Sequence, residues 1–184
     1  MCAFQSPEDT KGCFYTVATA FGARAWTNPH TAGSLTVTAS SVASGSVHLL
    51  VEPQTHAPHV LFTDDVASSW MSVDLGERTR VSAFTHYTMR HGGTGAYNFP
   101  RSWRLEASVD GAQWHVLDEH KNDQTFATGS QRAHWALPGA ASSAAADTRF
   151  RHVRVVQTGP TSDNDNFLAL GSLEVYGTLH KLDS

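Results

Sequence analysis

A chain of 184 residues, 40% hydrophobic, 16% charged and with a net charge of −4, is long enough for one sizeable core and too apolar for a disordered tail. The acidic balance gives no global attraction to nucleic acid or an anionic bilayer, and no run of about 18 apolar residues exists to span one. The opening MCAFQSPEDTKG lacks the basic and apolar regions of a secretory signal, so a cytoplasmic setting is expected.

The first 12 residues read as a flexible segment leading into a single domain over 1–184. Cys2 and Cys13 are the only cysteines, which excludes a disulfide framework. Two reduced thiols are expected, with one bridge available in an oxidising compartment. GCFYTVATAFG (12–22) is rich in β-branched and aromatic residues and predicts a strand over 13–19. A turn at Asn28-Pro29 precedes a strand over 35–39. Residues 40–69 show no sustained period and are punctuated by Pro53, Pro58 and a Ser-rich stretch; a long loop of this kind is usually functional or mobile.

Strand grammar then recurs. In SSWMSVDLGE (68–77), Trp70, Met71, Val73 and Leu75 do not share one parity, which predicts cover on both faces of the strand. Asp74 within it needs backbone or arginine donors, because a buried carboxylate without partners costs several kcal/mol. VSAFTHYTM (81–89) gives another strand. SWRLEASVDGAQW (102–114) alternates Leu105, Ala107 and Val109 with Arg104, Glu106 and Ser108 before Asp110-Gly111, the mark of a hairpin with a tight primed turn. Trp103 and Trp114 read as packing residues rather than ligand platforms. GAASSAAAD (139–147) reads as a flexible surface insertion. FRHVRVVQTG (150–159) and LGSLEVYG (170–177) complete the strands. With no amphipathic helix of useful length, the pattern predicts an all-β antiparallel sandwich.

The order LTVTASS, SSWMSVDLGE, HYTMRHG, SWRLEASVDGAQWHVLDEH, FRHVRVVQTGPTSDNDNF, LGSLEVYG resembles the discoidin, or coagulation-factor type C, domains of the galactose-binding-domain-like superfamily. GCFYTVATAFGARAWTNP and DEHKNDQTF resemble, more narrowly, the branch found in BTB-domain proteins and a HECT-type ubiquitin ligase. The resemblance implies a jelly-roll β-sandwich of about eight strands with ligand loops at one end, matching 40–52, 62–70 and 90–101 here. It also implies a protein or peptide ligand and an adaptor role in a larger assembly of ubiquitin-ligase type. A carbohydrate ligand, and a structural subunit docked through its sheet faces, are the alternatives.

RHGGTGAYNFPR (90–101) is the most suggestive loop. Arg90, His91, Asn98 and Arg101 offer polar recognition, while Tyr97 and Phe99 offer flat apolar faces; the competing reading has Arg90 and Arg101 tying the loop base and Tyr97 and Phe99 plugging the sandwich end. Asp64, Asp65 and His48 complete the candidate ligand-binding set. Leu49 and Leu50 look like the one exposed aliphatic pair, and Asp64-Asp65 would repel anionic lipid, so membrane docking is not expected. Asp163 and Asp165 in SDNDN (162–166) lack the rest of a calcium loop, and the 11 histidines match no zinc spacing. Neither a metal nor another cofactor is expected. No nucleophile elbow, phosphate loop or dinucleotide fingerprint occurs, and Asp118-Glu119, adjacent on a strand, would point to opposite faces. No catalytic residue is therefore assigned.

Overall fold

A computed structural model describes residues 1–53, 60–137 and 147–182. The alternating segments pair into two antiparallel sheets. Strands β1 (Thr36–Ala39), β3 (Trp70–Asp74), β8 (His152–Gln157), β5 (Trp103–Ser108) and β6 (His115–His120) form one, in the order β1-β3-β8-β5-β6. The other has the order β2-β9-β4-β7, from β2 (Leu61–Phe62), β9 (Ala169–Lys181), β4 (Thr79–His91) and β7 (Arg132–Ala136). The fold is the expected jelly-roll-type sandwich, with nine strands among the described residues where about eight were expected.

Parity decides what fills the space between the sheets. Register pairs Leu105 with Val155 and Met71 with Val155, which stacks one inward row across β3, β8 and β5. Tyr87 pairs with Val175 and Met89 with Leu173 on the opposing sheet. All these side chains are buried, together with Trp103, Phe84 and Leu61. Each such burial contributes about 1.5–3 kcal/mol relative to exposure. Gly177 is needed where β9 passes the irregularity in β4 near Ala83 (φ +46°), since a Cβ there would lie 2.8 Å from the Ser82 carbonyl oxygen.

Three expectations change. The strand over 13–19 is instead a short helix, α1 (Cys13–Ala18), burying Cys13, Phe14, Val17 and Ala18. Its cause is distant in sequence: the Glu174 carboxylate on β9 accepts the N–H groups of Phe14 (2.8 Å) and Tyr15 (3.0 Å), capturing donors a helix start leaves free. Gly12 allows that approach, because a Cβ would sit 2.5 Å from the Val175 carbonyl oxygen. The leading residues, expected to be flexible, are tied down. Cys2 pairs with Gly177, Phe4 stacks on His86 at 4.4 Å, and Tyr176 donates to the Asp9 carbonyl at 2.7 Å.

β3 is covered on both faces, fully inward and partly outward, where Ser72 is buried and Asp74 half-buried. Met71, Val73 and Leu75 share the inward parity, while Trp70 stays half-buried on the outer face. Asp74 takes the expected arginine donors, Arg151 Nε at 2.6 Å and Nη2 at 2.8 Å, plus the Gly76 N–H at 2.8 Å. The β5–β6 hairpin exists, but residues 109–114 connect it, and only Gly111 (φ +77°) is left-handed. Asp110 closes that loop as an acceptor for Ala112 and Gln113, both 2.9 Å, in place of a two-residue primed turn. Residues 40–69 contain a 3₁₀ turn at Val47–Val51 as well as β2. The 139–147 insertion lies, except for Asp147, outside the described residues.

Candidate functional site

The chain direction of the strands brings five connections to one end: 40–46, 63–69, 92–102, 121–131 and 158–168. Short polar hydrogen bonds tie them to one another. Asp64 N–H donates to Ser41 Oγ at 2.8 Å, and Asp65 Oδ1 accepts from Asn166 N–H at 2.7 Å. Asn98 N–H donates to Asp163 Oδ2 at 2.6 Å, and Phe99 N–H to Ser162 Oγ at 3.1 Å. The crown loops are thus linked one to the next, and the 162–166 carboxylates serve as acceptors among them.

Beneath 121–131 lies a second polar anchor. Trp103 Nε1 donates to Tyr87 Oη at 3.0 Å, which donates to Asp118 Oδ2 at 3.1 Å. His120 bridges Asp118 (2.8 Å) and Asp123 (2.7 Å); burial alone would lower its pKa, but the two carboxylates raise it. Asp118 points inward while Glu119 faces Arg104 outside, the opposed geometry expected for that pair.

The candidate residues separate by exposure. Tyr97, Asp64 and Asp65 are exposed, and Asn98, Arg101 and His48 are half-buried. Asp64 offers a carboxylate with no partner among the described residues, while Asn98 adopts φ +56°. Arg101 donates from Nη1 to the carbonyls of Asp123 (3.0 Å) and Phe126 (2.9 Å), and so ties the loop base. His48 sits on the 3₁₀ turn, its Nδ1 2.8 Å from Ser46 Oγ. Arg90, His91 and Phe99 are buried. The polar Arg90-His91 pair reads as loop, but β4 extends through it: Arg90 Nε donates to the Ser130 carbonyl (3.1 Å), and His91 meets Phe99 edge-on at 4.8 Å. Burial lowers the His91 pKa, which keeps its ring neutral.

Two features were missed by sequence reading. Leu50 is fully buried and Leu49 half-buried; the exposed aliphatics of the crown are Val42 and Val66, 50% and 59% exposed. Both begin the same tripeptide, Val-Ala-Ser, at 42–44 and 66–68, a small-residue setting too short to pack against a core. Beside Val66 opens a hollow of about 260 Å³ lined also by Ser40, Ser41, Asp64 and Ser68. The second is the contribution of 121–131 and 158–168 to the crown. Chemically, the crown presents apolar tips (Val42, Val66, Tyr97) beside a free carboxylate, Asp64. Among the described residues, no cluster of three His, Cys, Asp or Glu side chains has metal-binding geometry, and no helix is long and apolar enough to cross a membrane.

The F5/8 type C domain model matches residues 36–170. BTB/POZ domain-containing protein At2g30600 of Arabidopsis thaliana is 34% identical over 181 residues, covering 92% of this chain and 21% of that protein. E3 ubiquitin-protein ligase Ufd4 of Drosophila melanogaster is 28% identical over 156 residues, 83% of this chain and 6% of the ligase. The chain thus spans a small part of each. Among solved structures, the CpGH89CBM32-5 module of Clostridium perfringens, in complex with GalNAc-β-1,3-galactose, superposes with a TM-score of 0.58 at 14% identity, over 79% of this chain and 96% of that one. At that identity the likeness speaks for the fold.

Proposed function

Since this chain belongs to the F5/8 type C domain family, we propose that it is a non-catalytic recognition module that captures a protein or peptide through the loop crown, as an adaptor within a larger assembly. The observation that carries this reading is the set of three exposed apolar side chains, Val42, Val66 and Tyr97, on tips that hydrogen bonds hold together. Exposed apolar groups on a preorganised crown cost little ordering entropy on binding and supply the anchors of a protein interface. The Asp64 carboxylate adds an acceptor for a basic or N–H-rich segment of the partner. The ubiquitin-ligase and BTB relatives support a place where one chain presents another. In such a chain this module would choose the client and the remainder would act on it.

Affinity capture from a native lysate, read by mass spectrometry, tests the site. The double variant Val66→Asp, Tyr97→Ala should lose at least tenfold of the captured partner while its melting temperature stays within about 3 °C, since both side chains are exposed. Undiminished capture overturns the crown as the binding surface. A glycan array run in parallel should remain blank; sugar-dependent binding abolished by the same variant would replace the protein ligand with a carbohydrate.

A further inference from the structure

Residues 3–12 form a strap across the outer face of the four-stranded sheet. Phe4 lies on His86 and His134, with ring centroids at 4.4 and 5.2 Å, and meets Tyr176 edge-on at 5.1 Å. A cysteine stands at each end of the strap. Cys2 exchanges both backbone hydrogen bonds with Gly177, at 2.8 and 3.1 Å. Cys13 is the first residue of α1, whose start Glu174 holds in place. Both thiols are free and buried in the same core cluster, and Cys2 Sγ lies 3.4 Å from Thr16 Oγ1, one turn along α1 from Cys13. Two cysteines eleven positions apart thus meet because the strap crosses the sheet and returns.

We propose that Cys2 and Cys13 are a redox-reactive dithiol, and that its oxidation to a disulfide clasps the strap onto the four-stranded sheet. The two thiols are differentiated as an attacking and a resolving pair. The neighbouring Cys13 thiol lowers Cys2 to about 6 and makes it the more readily ionised of the two, whereas burial pushes Cys13 up. With a peroxide as oxidant, the Cys2 thiolate attacks one oxygen and the O–O bond breaks. Cys2 becomes a sulfenic acid, and the departing hydroxide takes a proton from solvent to form water. Cys13 sulfur then attacks the sulfenic sulfur, the S–S bond forms, and hydroxide leaves with the Cys13 proton as a second water. Two thiols lose two electrons and two protons, and one peroxide becomes two waters. In the reduced state the strap is held by one backbone bridge, ring stacking and the Tyr176–Asp9 hydrogen bond, and its lifting uncovers His86, His134 and Tyr176. The disulfide forbids that lifting. The inference is independent of how the crown is read.

The test uses the full chain treated with stoichiometric hydrogen peroxide, digested with trypsin without reduction. Cleavage after Lys11 and Arg24 places the two cysteines in separate peptides, so the expected product is a single cross-linked pair, 1–11 with 12–24, cleaved by dithiothreitol. Oxidation should also raise the melting temperature by roughly 5 °C and slow amide exchange over residues 3–12. In Cys13→Ser the reaction should stop at a dimedone-trappable sulfenic acid on Cys2. Thiols left unreacted, oxidation of Cys2 with Cys13 still free, or a disulfide that changes neither exchange nor melting would each overturn the proposal.

Discussion

The two outer sheet faces solve the same problem in opposite ways. On the four-stranded sheet, α1 and the strap cover the surface, so Glu174 and Tyr176 are buried and must find partners in the covering backbone. On the five-stranded sheet the 109–114 loop reaches over His152 and Arg154. Its polar side chains cover one another: Arg151 binds Asp74 and Glu77, and Arg154 donates to Glu106 at 2.7 Å while stacking 3.8 Å over Trp114. Between Trp114 and Trp70 a groove of about 230 Å³ stays open. One face buries the Glu174 carboxylate against backbone donors of a covering layer; the other buries Glu106 against the Arg154 guanidinium, while Arg151 and Asp74 stay partly wet.

The largest expected effect therefore lies under the helix. Burial pushes the Glu174 carboxyl up to about 8, against three backbone N–H groups, from Phe14, Tyr15 and Val175, that favour its ionised form. Glu174→Ala removes the acceptor, strands those donors away from water and leaves a void. A loss of about 3 kcal/mol or more in denaturant unfolding is expected. A loss under about 1 kcal/mol would mean that water reaches α1 and that this face is not truly covered.

A smaller effect belongs to the open face. Burial raises the Asp74 carboxyl, but the Arg151 guanidinium and the Gly76 N–H outweigh it and hold it below the usual carboxylate range. Arg151→Ala should cost about 1–2 kcal/mol at pH 7, since both side chains are partly wet. A carboxyl with a depressed folded-state pKa contributes stability above its unfolded value and loses it as pH falls through the folded one. Wild type and variant should therefore converge below about pH 4, a trend that melting curves from pH 7 to pH 3 would display. A gap that stays constant with pH would detach Arg151 from Asp74.

The same contrast explains what sequence alone can reveal. The inward rows of β5 and β8 are legible because their alternation is local and their partners are generic apolar neighbours. α1 is not, because Thr16 and Val17 favour strand locally while its start is fixed by a carboxylate 160 residues away. In the crown, Tyr97, Asp64 and Asp65 stand exposed as candidate binding residues. Arg90 and His91 do not, since nothing in RHGG announces that β4 runs two residues further before turning. Val42 and Val66 are not legible either, because a lone valine among small residues carries no period.

The smallest effect comes from the groove. Trp114 is half-buried and lies under the Arg154 guanidinium, which Glu106 also holds. Trp114→Ala removes a cation–π contact at a wet site and leaves that ion pair intact, so the expected cost is about 0.5–1 kcal/mol. Amide exchange in β8 should barely change, because its inward partners Val153 and Val155 remain packed. A cost approaching that of Glu174→Ala, with β8 opening to exchange, would make Trp114 part of the wall of the core. The five-stranded face would then be as closed as its opposite, its cover supplied by its own side chains.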